Sequence, residues 1–324
     1  MRSKPGGRGL IWIFTAALVF CFAPLLPAQS VRFVRTLDLS GKTGKKNIKT
    51  FLLGKKEKKG CKPFSICRLG ENRLCVTDTV NGAVIVLDNN GRIKKTVTHV
   101  KGFKIVSPVS ACGDDRGNLY VSDSARQEVW KFDSGYQFEA VFIPPLPGEP
   151  GGRITGIVFV GGDFYGVDTP NHRVLCFDRG GKLKYSVGKR GTAGGEFNFP
   201  THIAADSEFI YVTDALNFRV QIFDRSGRFI RSLGSFGRGG GDFSKPKGIA
   251  VDRERRIFVT DVMFDNVQIF DFKGRFLYYF GGPGHRDGEF WMPAGIMVDR
   301  DNTIWVADTY NNRIQVFQLV EKTS

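Results

Sequence analysis

Three clusters of an aspartate, an asparagine and an arginine stand out as candidates for acid–base chemistry or for binding a polar ligand. All three have the spacing D-x-x-N-x-R: Asp168, Asn171 and Arg173; Asp214, Asn217 and Arg219; Asp308, Asn311 and Arg313. A site that acts once in a molecule does not need to be built three times. We therefore interpret the aspartates as caps that accept backbone N–H groups in tight loops, and we expect the arginines to bridge structural units.

The sequence contains no motif of a common catalytic or cofactor-binding class. The patterns G-x-S-x-G, H-E-x-x-H, C-x-x-C-H and the P-loop are all absent. Two glycine-rich stretches, Gly191–Glu196 and Gly237–Asp242, each precede an apolar segment that begins with proline. We interpret both as long connecting loops rather than phosphate cradles. The sequence therefore predicts no catalytic residue, no metal site and no cofactor.

The three clusters belong to a sequence repeat. One unit recurs six times: a strand that begins with Pro or Ile, a turn, a strand that ends in Asp, a polar loop, and a strand followed by a glycine turn. The terminal aspartates are Asp78, Asp123, Asp168, Asp214, Asp261 and Asp308, spaced 45 to 47 residues apart. Four short strands in such a period are typical of a propeller blade. The sequence predicts an all-β, six-bladed propeller of four-stranded antiparallel blades.

The last unit lacks its fourth strand, and the beginning of the chain contains a matching one. VRFVRTL at residues 31–37 has almost the pattern of GRFIRSL at residues 227–233. We therefore expect an N-terminal strand within residues 29–39 to complete the last blade, which removes the open edges of the ring. The predicted domain is 29–324, with six blades over residues 63–320.

The units resemble NHL repeats, which form six-bladed propellers. The resemblance rests on PKGIAVD at residues 246–252, IFVTD at 257–261 and DTYNNRIQVF at 308–317. It weakens in blades one, two and five, where Ala83, Arg126 with Glu128, and Phe264 with Asn266 replace the usual residues. The resemblance implies a fold but no single function, because NHL propellers include enzymes, RNA binders, sensors and interaction platforms.

Candidate binding residues follow from the fold, because propellers usually bind ligands at the end of the channel where the inner strands begin. The residues two after each strand-starting position are predicted to line that mouth: Ser65, Ser110, Gly156, His202, Gly248 and Gly295. The resembled family includes a zinc-dependent lyase with channel-facing histidines, but only His202 holds such a position here, and zinc needs about three protein ligands. His172, Phe218 and Tyr310, in loops at the same end, are further candidate binding residues.

A lysine-rich segment separates the closing strand from the first blade. Residues 41–62 carry nine lysines and one glutamate, of a formal net charge of +15 for the whole chain. Such a segment can attract an acidic protein, a polyanion or lipid headgroups. Lys55, Lys56, Lys58 and Lys59 are candidate contacts within the loop 40–62. The alternative interpretation is a solvated loop without a partner.

The first 28 residues have the layout of a secretory signal peptide: a basic start, an apolar run over Leu10–Ala23 and a small residue at Ala28. The alternative is an uncleaved N-terminal membrane anchor. We expect an exported protein, periplasmic or extracellular, that does not span a membrane after cleavage and binds no nucleic acid. Cys61, Cys67, Cys75, Cys112 and Cys176 remain, and Cys67 and Cys75 are expected to face each other across a hairpin.

The sequence thus favours an exported binding or scaffold module whose partner is an unknown protein or an anionic ligand on the loop-bearing end. A metal-dependent lyase or hydrolase at the channel mouth is the alternative. A polyanion or carbohydrate binder that works through the lysine-rich loop is the third possibility.

Overall fold

The computed structural model describes residues 30–39, 60–148 and 151–320. Its strands form six four-stranded antiparallel sheets around a central channel, which confirms the predicted six-bladed propeller. In each blade the first strand is innermost, and each inner strand contacts the inner strands of both neighbouring blades. The predicted signal peptide and most of the lysine-rich loop lie outside the described residues.

The strand bounds follow the repeat closely. The closing strand is β1 (Ser30–Asp38). Blade one contains β2 (Pro63–Leu69), β3 (Arg73–Asp78), β4 (Ala83–Asp88) and β5 (Ile93–Val97), followed by the small hairpin β6 (His99–Val100) and β7 (Phe103–Lys104). Blade two contains β8 (Pro108–Gly113), β9 (Leu119–Asp123), β10 (Glu128–Phe132) and β11 (Phe138–Ile143). Blade three contains β12 (Ile154–Val160), β13 (Asp163–Asp168), β14 (Arg173–Phe177) and β15 (Leu183–Val187).

The remaining blades carry the longer connections. Blade four contains β16 (Pro200–Ala205), β17 (Phe209–Asp214), a 3₁₀ turn (Ala215–Asn217), β18 (Arg219–Asp224) and β19 (Phe229–Leu233). The loop to blade five holds the short pair β20 (Ser235–Phe236) and β21 (Asp242–Phe243). Blade five contains β22 (Pro246–Val251), β23 (Ile257–Asp261), β24 (Asn266–Phe270) and β25 (Phe276–Gly281). Blade six contains β26 (Pro293–Val298), β27 (Thr303–Asp308) and β28 (Arg313–Val320).

The core lies between the blades, because the middle strands are apolar on both faces and pack against a neighbour on each side. The loops before blades four, five and six each contribute one fully buried phenylalanine, namely Phe197, Phe243 and Phe290. These glycine-rich connections are therefore packing elements. Their glycines allow the backbone to turn tightly enough for each ring to reach the core.

Strand β1 closes the ring as predicted. It pairs antiparallel with β28 over its whole length, with Phe33 opposite Phe317 and their ring centroids 5.7 Å apart. The backbone N–H of Leu39 also donates to the carbonyl of Asn312. The two ends of the described chain thus share one blade, and the sheet of blade six has no unpaired strand where the repeat stops.

Hydroxyl groups at the inner ends of three blades bond to the blade that follows. The Thr309 hydroxyl donates to the Pro63 carbonyl at 2.7 Å, which links blade six to blade one. Equivalent bonds run from Thr169 to the Pro200 carbonyl and from Thr260 to the Ala294 carbonyl.

Over the described residues, no helix is long and apolar enough to cross a membrane.

Candidate functional site

The repeat aspartates lie at the loop face, the end of the propeller where Pro63 starts β2 opposite Asp78 and where the loops between blades run. Each of the six is buried. Asp261 accepts the backbone N–H groups of Ser244, Lys245, Met263 and Phe264. It therefore caps both the loop after its own strand and the start of the inner strand, as the sequence predicted.

The arginines of the three D-x-x-N-x-R clusters bind within their own units. Arg219 Nε donates to Asp214 Oδ2 at 2.8 Å, and its other nitrogens donate to the carbonyls of Thr192, Ala193 and Glu196. Those carbonyls belong to the loop that arrives from blade three. Arg219 therefore links its blade to blade three through the connecting loop, and Arg313 binds the loop from blade five in the same way. Arg173 donates to Asp168 of its own blade.

A cavity of about 200 Å³ occupies the central channel. Isoleucines and small residues of the inner strands make up most of its wall, and its polar members near the loop face are Ser65, Ser110 and His202. The Ser110 hydroxyl accepts the backbone N–H of Ile157, so that serine is used by the scaffold. His202 differs, because neither of its ring nitrogens has a hydrogen-bond partner although the side chain is only 9% exposed.

Two further side chains lie close to His202 at the loop-face end of the channel, and neither lines the cavity itself. Phe64 belongs to blade one, diametrically opposite blade four, and its ring centroid lies 6.0 Å from that of His202. Lys247 of blade five places its ammonium nitrogen 4.1 Å from the Phe64 ring centroid. We call Phe64, His202 and Lys247 the channel-mouth site. The Phe64 ring therefore lies close to both of the other side chains.

Burial controls the electrostatics of the channel-mouth site. Burial, followed by repulsion from the nearby Lys247 ammonium, lowers the pKa of His202 to about 3, so His202 is neutral at physiological pH. Burial, followed by repulsion from Lys245, lowers the pKa of Lys247 to about 8. Within the described part of the chain, Lys247 has no ion pair. The mouth thus holds one unpaired ammonium beside one neutral, unpartnered imidazole.

Comparison with known proteins agrees with the repeat. A family model described as NHL repeat matches residues 290–317, and one described as 6-bladed beta-propeller matches residues 207–256. The first segment folds as the core of blade six, and the second spans most of blade four and the inner strand of blade five. The chain is a six-bladed propeller whose last blade matches the NHL repeat. No curated protein matches its sequence.

Solved structures share the fold of this propeller at low sequence identity. A catalytically inactive virginiamycin B lyase from Staphylococcus aureus, with quinupristin, is 14% identical with a TM-score of 0.59, covering 90% of this chain and 100% of that one. A Bacteroides thetaiotaomicron protein of unknown function is 16% identical (TM-score 0.64, 90% and 77% covered). A Xanthomonas campestris gluconolactonase is 13% identical (TM-score 0.61, 81% and 87% covered). Identities this low show the fold alone.

The six positions predicted to line the mouth of the propeller fall into two groups. Ser65, Ser110, His202 and Gly295 line the cavity, whereas Gly156 and Gly248 do not. A Cβ at Gly248 would lie 2.1 Å from the Ala294 carbonyl oxygen, so the glycine is required for close approach of the next inner strand. His202 is therefore the one large polar side chain of this ring of positions.

The other predicted binding residues lie away from the channel. Buried His172 accepts the backbone N–H of Phe199 at Nδ1, 3.1 Å away, so it is a structural residue of its loop. Phe218 packs on exposed Phe236, with centroids 4.8 Å apart. Tyr310 is exposed and carries the Lys62 ammonium 4.4 Å from its ring centroid. Lys55, Lys56, Lys58 and Lys59 lie outside the described residues.

The histidines do not converge on a metal site. His285 Nδ1 is hydrogen-bonded to the Asn311 side chain and His99 Nδ1 to Thr98, each on a different element from His202. Across residues 30–39, 60–148 and 151–320, no three histidine, cysteine or acidic side chains are grouped to hold a metal ion. The ligand set of the zinc-dependent lyase in the resembled family therefore has no counterpart in the described residues.

Cys67 and Cys75 face each other directly across β2 and β3, and both are free thiols. A hydrogen bond with Cys67, together with burial, raises the pKa of the Cys75 thiol. Burial likewise raises the pKa of Cys112. These shifts disfavour the reactive thiolate form, so both buried cysteines act as small core residues.

Phe64 and Lys247 were missed by the sequence analysis, although a signal was present. Both residues directly follow the proline that starts the inner strand. They therefore lie one residue before the six positions that were predicted to line the channel mouth. The six residues at that position are Phe64, Val109, Thr155, Thr201, Lys247 and Ala294. An aromatic ring and a lysine among small and β-branched residues depart from the repeat, and such a departure indicates a role that the repeat itself does not require.

Proposed function

We propose that this chain is an exported NHL-repeat propeller that binds a small ligand at the channel-mouth site. The observation that carries the proposal is that both buried ring nitrogens of His202 lack a hydrogen-bond partner. The partly buried ammonium of Lys247 lies nearby against the Phe64 ring. Buried polar groups are hydrogen-bonded in the great majority of cases, and each exception needs an explanation. Export rests on the signal-like N-terminal sequence.

The energetic argument is that a group kept without a partner destabilises the folded protein. An unpaired buried donor or acceptor costs about 1–3 kcal/mol, and an unpaired ammonium costs more. The six repeat aspartates show that this fold can satisfy buried polar groups fully where they serve structure. The open ring nitrogens of His202, which lines a 200 Å³ cavity, are therefore best explained as contacts to a molecule that enters it.

Catalysis at the same place is the second candidate. Two of the similar structures are named as enzymes, a virginiamycin B lyase with quinupristin and a gluconolactonase. The Lys247 amine, whose pKa is lowered to about 8, can also donate or accept a proton near neutral pH. Ligand binding is the common requirement of both candidates, so we place it first.

Native mass spectrometry tests the binding function. The mature protein, purified gently from its own source, should carry a small molecule in stoichiometric amount. The His202→Ala and Lys247→Met variants, purified in the same way, should lose it. The Lys273→Met variant is the matched control, because Lys273 is exposed on the turn at the opposite end of blade five. It should retain the molecule.

A second measurement covers ligands lost during purification. Nitrogen-15 labelling of histidine gives His202 ring signals, which should shift when the low-mass fraction of the native compartment is added. If no small molecule co-purifies and the His202 signals do not move, the binding function is wrong. Elemental analysis of the same sample should find no stoichiometric zinc, and one zinc per chain that is lost in His202→Ala would favour the metal-dependent lyase or hydrolase instead.

Exposed aromatic residues on the loop face support a wider interaction surface around the site. Trp291 and Tyr310 pack with their ring centroids 5.5 Å apart, and both are more than 40% exposed. Exposed aromatic pairs of this kind are typical of protein contact sites. A protein partner on the loop face is therefore compatible with a ligand in the channel, whereas the polyanion-binding hypothesis rests only on the sequence of the lysine-rich loop.

A further inference from the structure

The charge around the channel mouth points to the chemical class of the ligand. The positions just before and just after the first residue of each inner strand frame this end of the channel. Four of these twelve residues are basic, namely Lys62, Arg153, Lys245 and Lys247, and none is acidic. Among the described residues, the acidic side chains nearest in sequence are Glu196, Asp242 and Glu289, and each accepts a backbone N–H group of its own connecting loop. The mouth is therefore electropositive.

Lys247 is the cation that a ligand would meet inside this mouth. Its ammonium lies against the Phe64 ring, an arrangement that holds a cation in place without neutralising it. The nearest other charge that acts on it is Lys245, which has the same sign. The partly buried Lys247 therefore lacks a counter-charge, and a bound anion would supply one.

The neighbouring groups set the charge and shape of that anion. His202 is neutral, so it adds a hydrogen bond and no second positive charge. One ammonium and one imidazole match a monoanionic carboxylate better than a phosphate dianion, which usually takes several cationic or backbone donors. The flat Phe64 ring and the apolar cavity wall, which includes Ile203, Ile249 and Met297, suit an apolar body attached to the carboxylate.

We propose that the channel-mouth site binds a small organic carboxylate, with the carboxylate between Lys247 and His202 and the apolar body against Phe64 and the cavity wall. This inference rests on the proposed function and adds the class of ligand. Recognition needs no change in the blades, because the three side chains are already held together by inner strands of blades one, four and five.

Calorimetric titration with matched probes tests the ligand class. Benzoate and hexanoate carry a carboxylate, and benzamide and hexanamide are their neutral counterparts of the same shape. At pH 7 and low salt, at least one carboxylate should bind the mature protein at least tenfold more tightly than its amide. The Lys247→Met variant should weaken that binding at least tenfold, whereas Lys273→Met should leave it unchanged.

Each outcome separates this inference from the proposed function. If an amide binds as tightly as its carboxylate, or if Lys247→Met binds the carboxylate like the wild type, the ligand is not recognised as an anion, although the site still binds. If none of the four probes binds, the carboxylate class is wrong, and native mass spectrometry decides separately whether the site has a ligand. Circular dichroism confirms that the variants are folded.

Discussion

The repeat aspartates and the channel-mouth site are both buried and polar, yet they differ in how completely they are bonded. Asp214 accepts hydrogen bonds from Asn198, Asn217, Arg219 and Gln221. His202, a few residues before Asp214 in the same blade, has none at either ring nitrogen. The comparison teaches that burial alone does not distinguish His202 from the repeat aspartates, whereas the state of their hydrogen bonds does.

The largest effect should come from removing a bonded aspartate. Asp214→Ala leaves the Arg219 guanidinium and the Gln221 amide without their buried acceptor, and breaking such a pair costs about 3–5 kcal/mol. Urea denaturation should show this loss. Asp308→Ala should cost a similar amount, because Asp308 has the same set of partners in blade six. A loss below about 1 kcal/mol in both variants would mean that the network is not structural.

Lowering the pH should destabilise the folded protein because His202 has no hydrogen-bond partner. Its folded-state pKa of about 3 lies below its usual value of 6.5, so between these pH values the unfolded chain binds a proton that the folded protein does not. The free energy of unfolding should therefore fall as the pH decreases from about 6.5 to 3, by about 2–4 kcal/mol from this residue.

The His202→Gln variant isolates that contribution. The difference in unfolding free energy between wild type and variant should depend on pH over this window and become constant above pH 6.5. His99→Gln, an exposed histidine, controls for the loss of one titratable ring. A pH-independent difference for His202→Gln would show that His202 is hydrated or bonded in the folded protein, which contradicts the comparison.

Removal of the unpaired ammonium should stabilise the protein. Lys247 has a pKa of about 8 in the folded state, below its usual 10.5, so the charged form is disfavoured by folding at neutral pH. We expect Lys247→Met to raise the free energy of unfolding at pH 7 by about 1–3 kcal/mol. This advantage should shrink as the pH rises from 8 to 10.5, because the wild-type lysine then becomes neutral.

Lys273→Met is the control for Lys247→Met, and exposed substitutions of this kind usually change stability by less than about 0.5 kcal/mol. A destabilised Lys247→Met protein would show that the ammonium is a structural group like the repeat aspartates. That result would remove the difference on which the proposed site rests.

The smallest effect concerns the bond that joins the first and last blades. Thr309→Val keeps the shape of the side chain but removes the hydrogen bond to the Pro63 carbonyl, which should cost about 1 kcal/mol. Thr96→Val, at an exposed position of β5, should have almost no effect. Thermal denaturation should give a lower melting temperature for Thr309→Val than for Thr96→Val. Equal melting temperatures would show that the hydrogen bond between blades six and one does not stabilise the protein.

The sequence by itself determined the repeat, the six blades, the closing strand and the structural role of the aspartates. These features depend on local order: an aspartate caps a loop a few residues away, and a strand pairs with the next one along the chain. Even the long-range closure of β1 was predictable, because its residues copy a strand pattern that occurs elsewhere in the sequence and is missing at the end.

Only the tertiary structure decided the channel-mouth site. Phe64, His202 and Lys247 come from three different blades, and no spacing along the chain relates an aromatic ring in blade one to a histidine in blade four. They meet because six inner strands close around a narrow channel, so that side chains from opposite blades can span it. The same closure decided that Gly248 packs against the next strand while His202 lines the cavity, since at equivalent repeat positions the available space depends on the neighbouring blade.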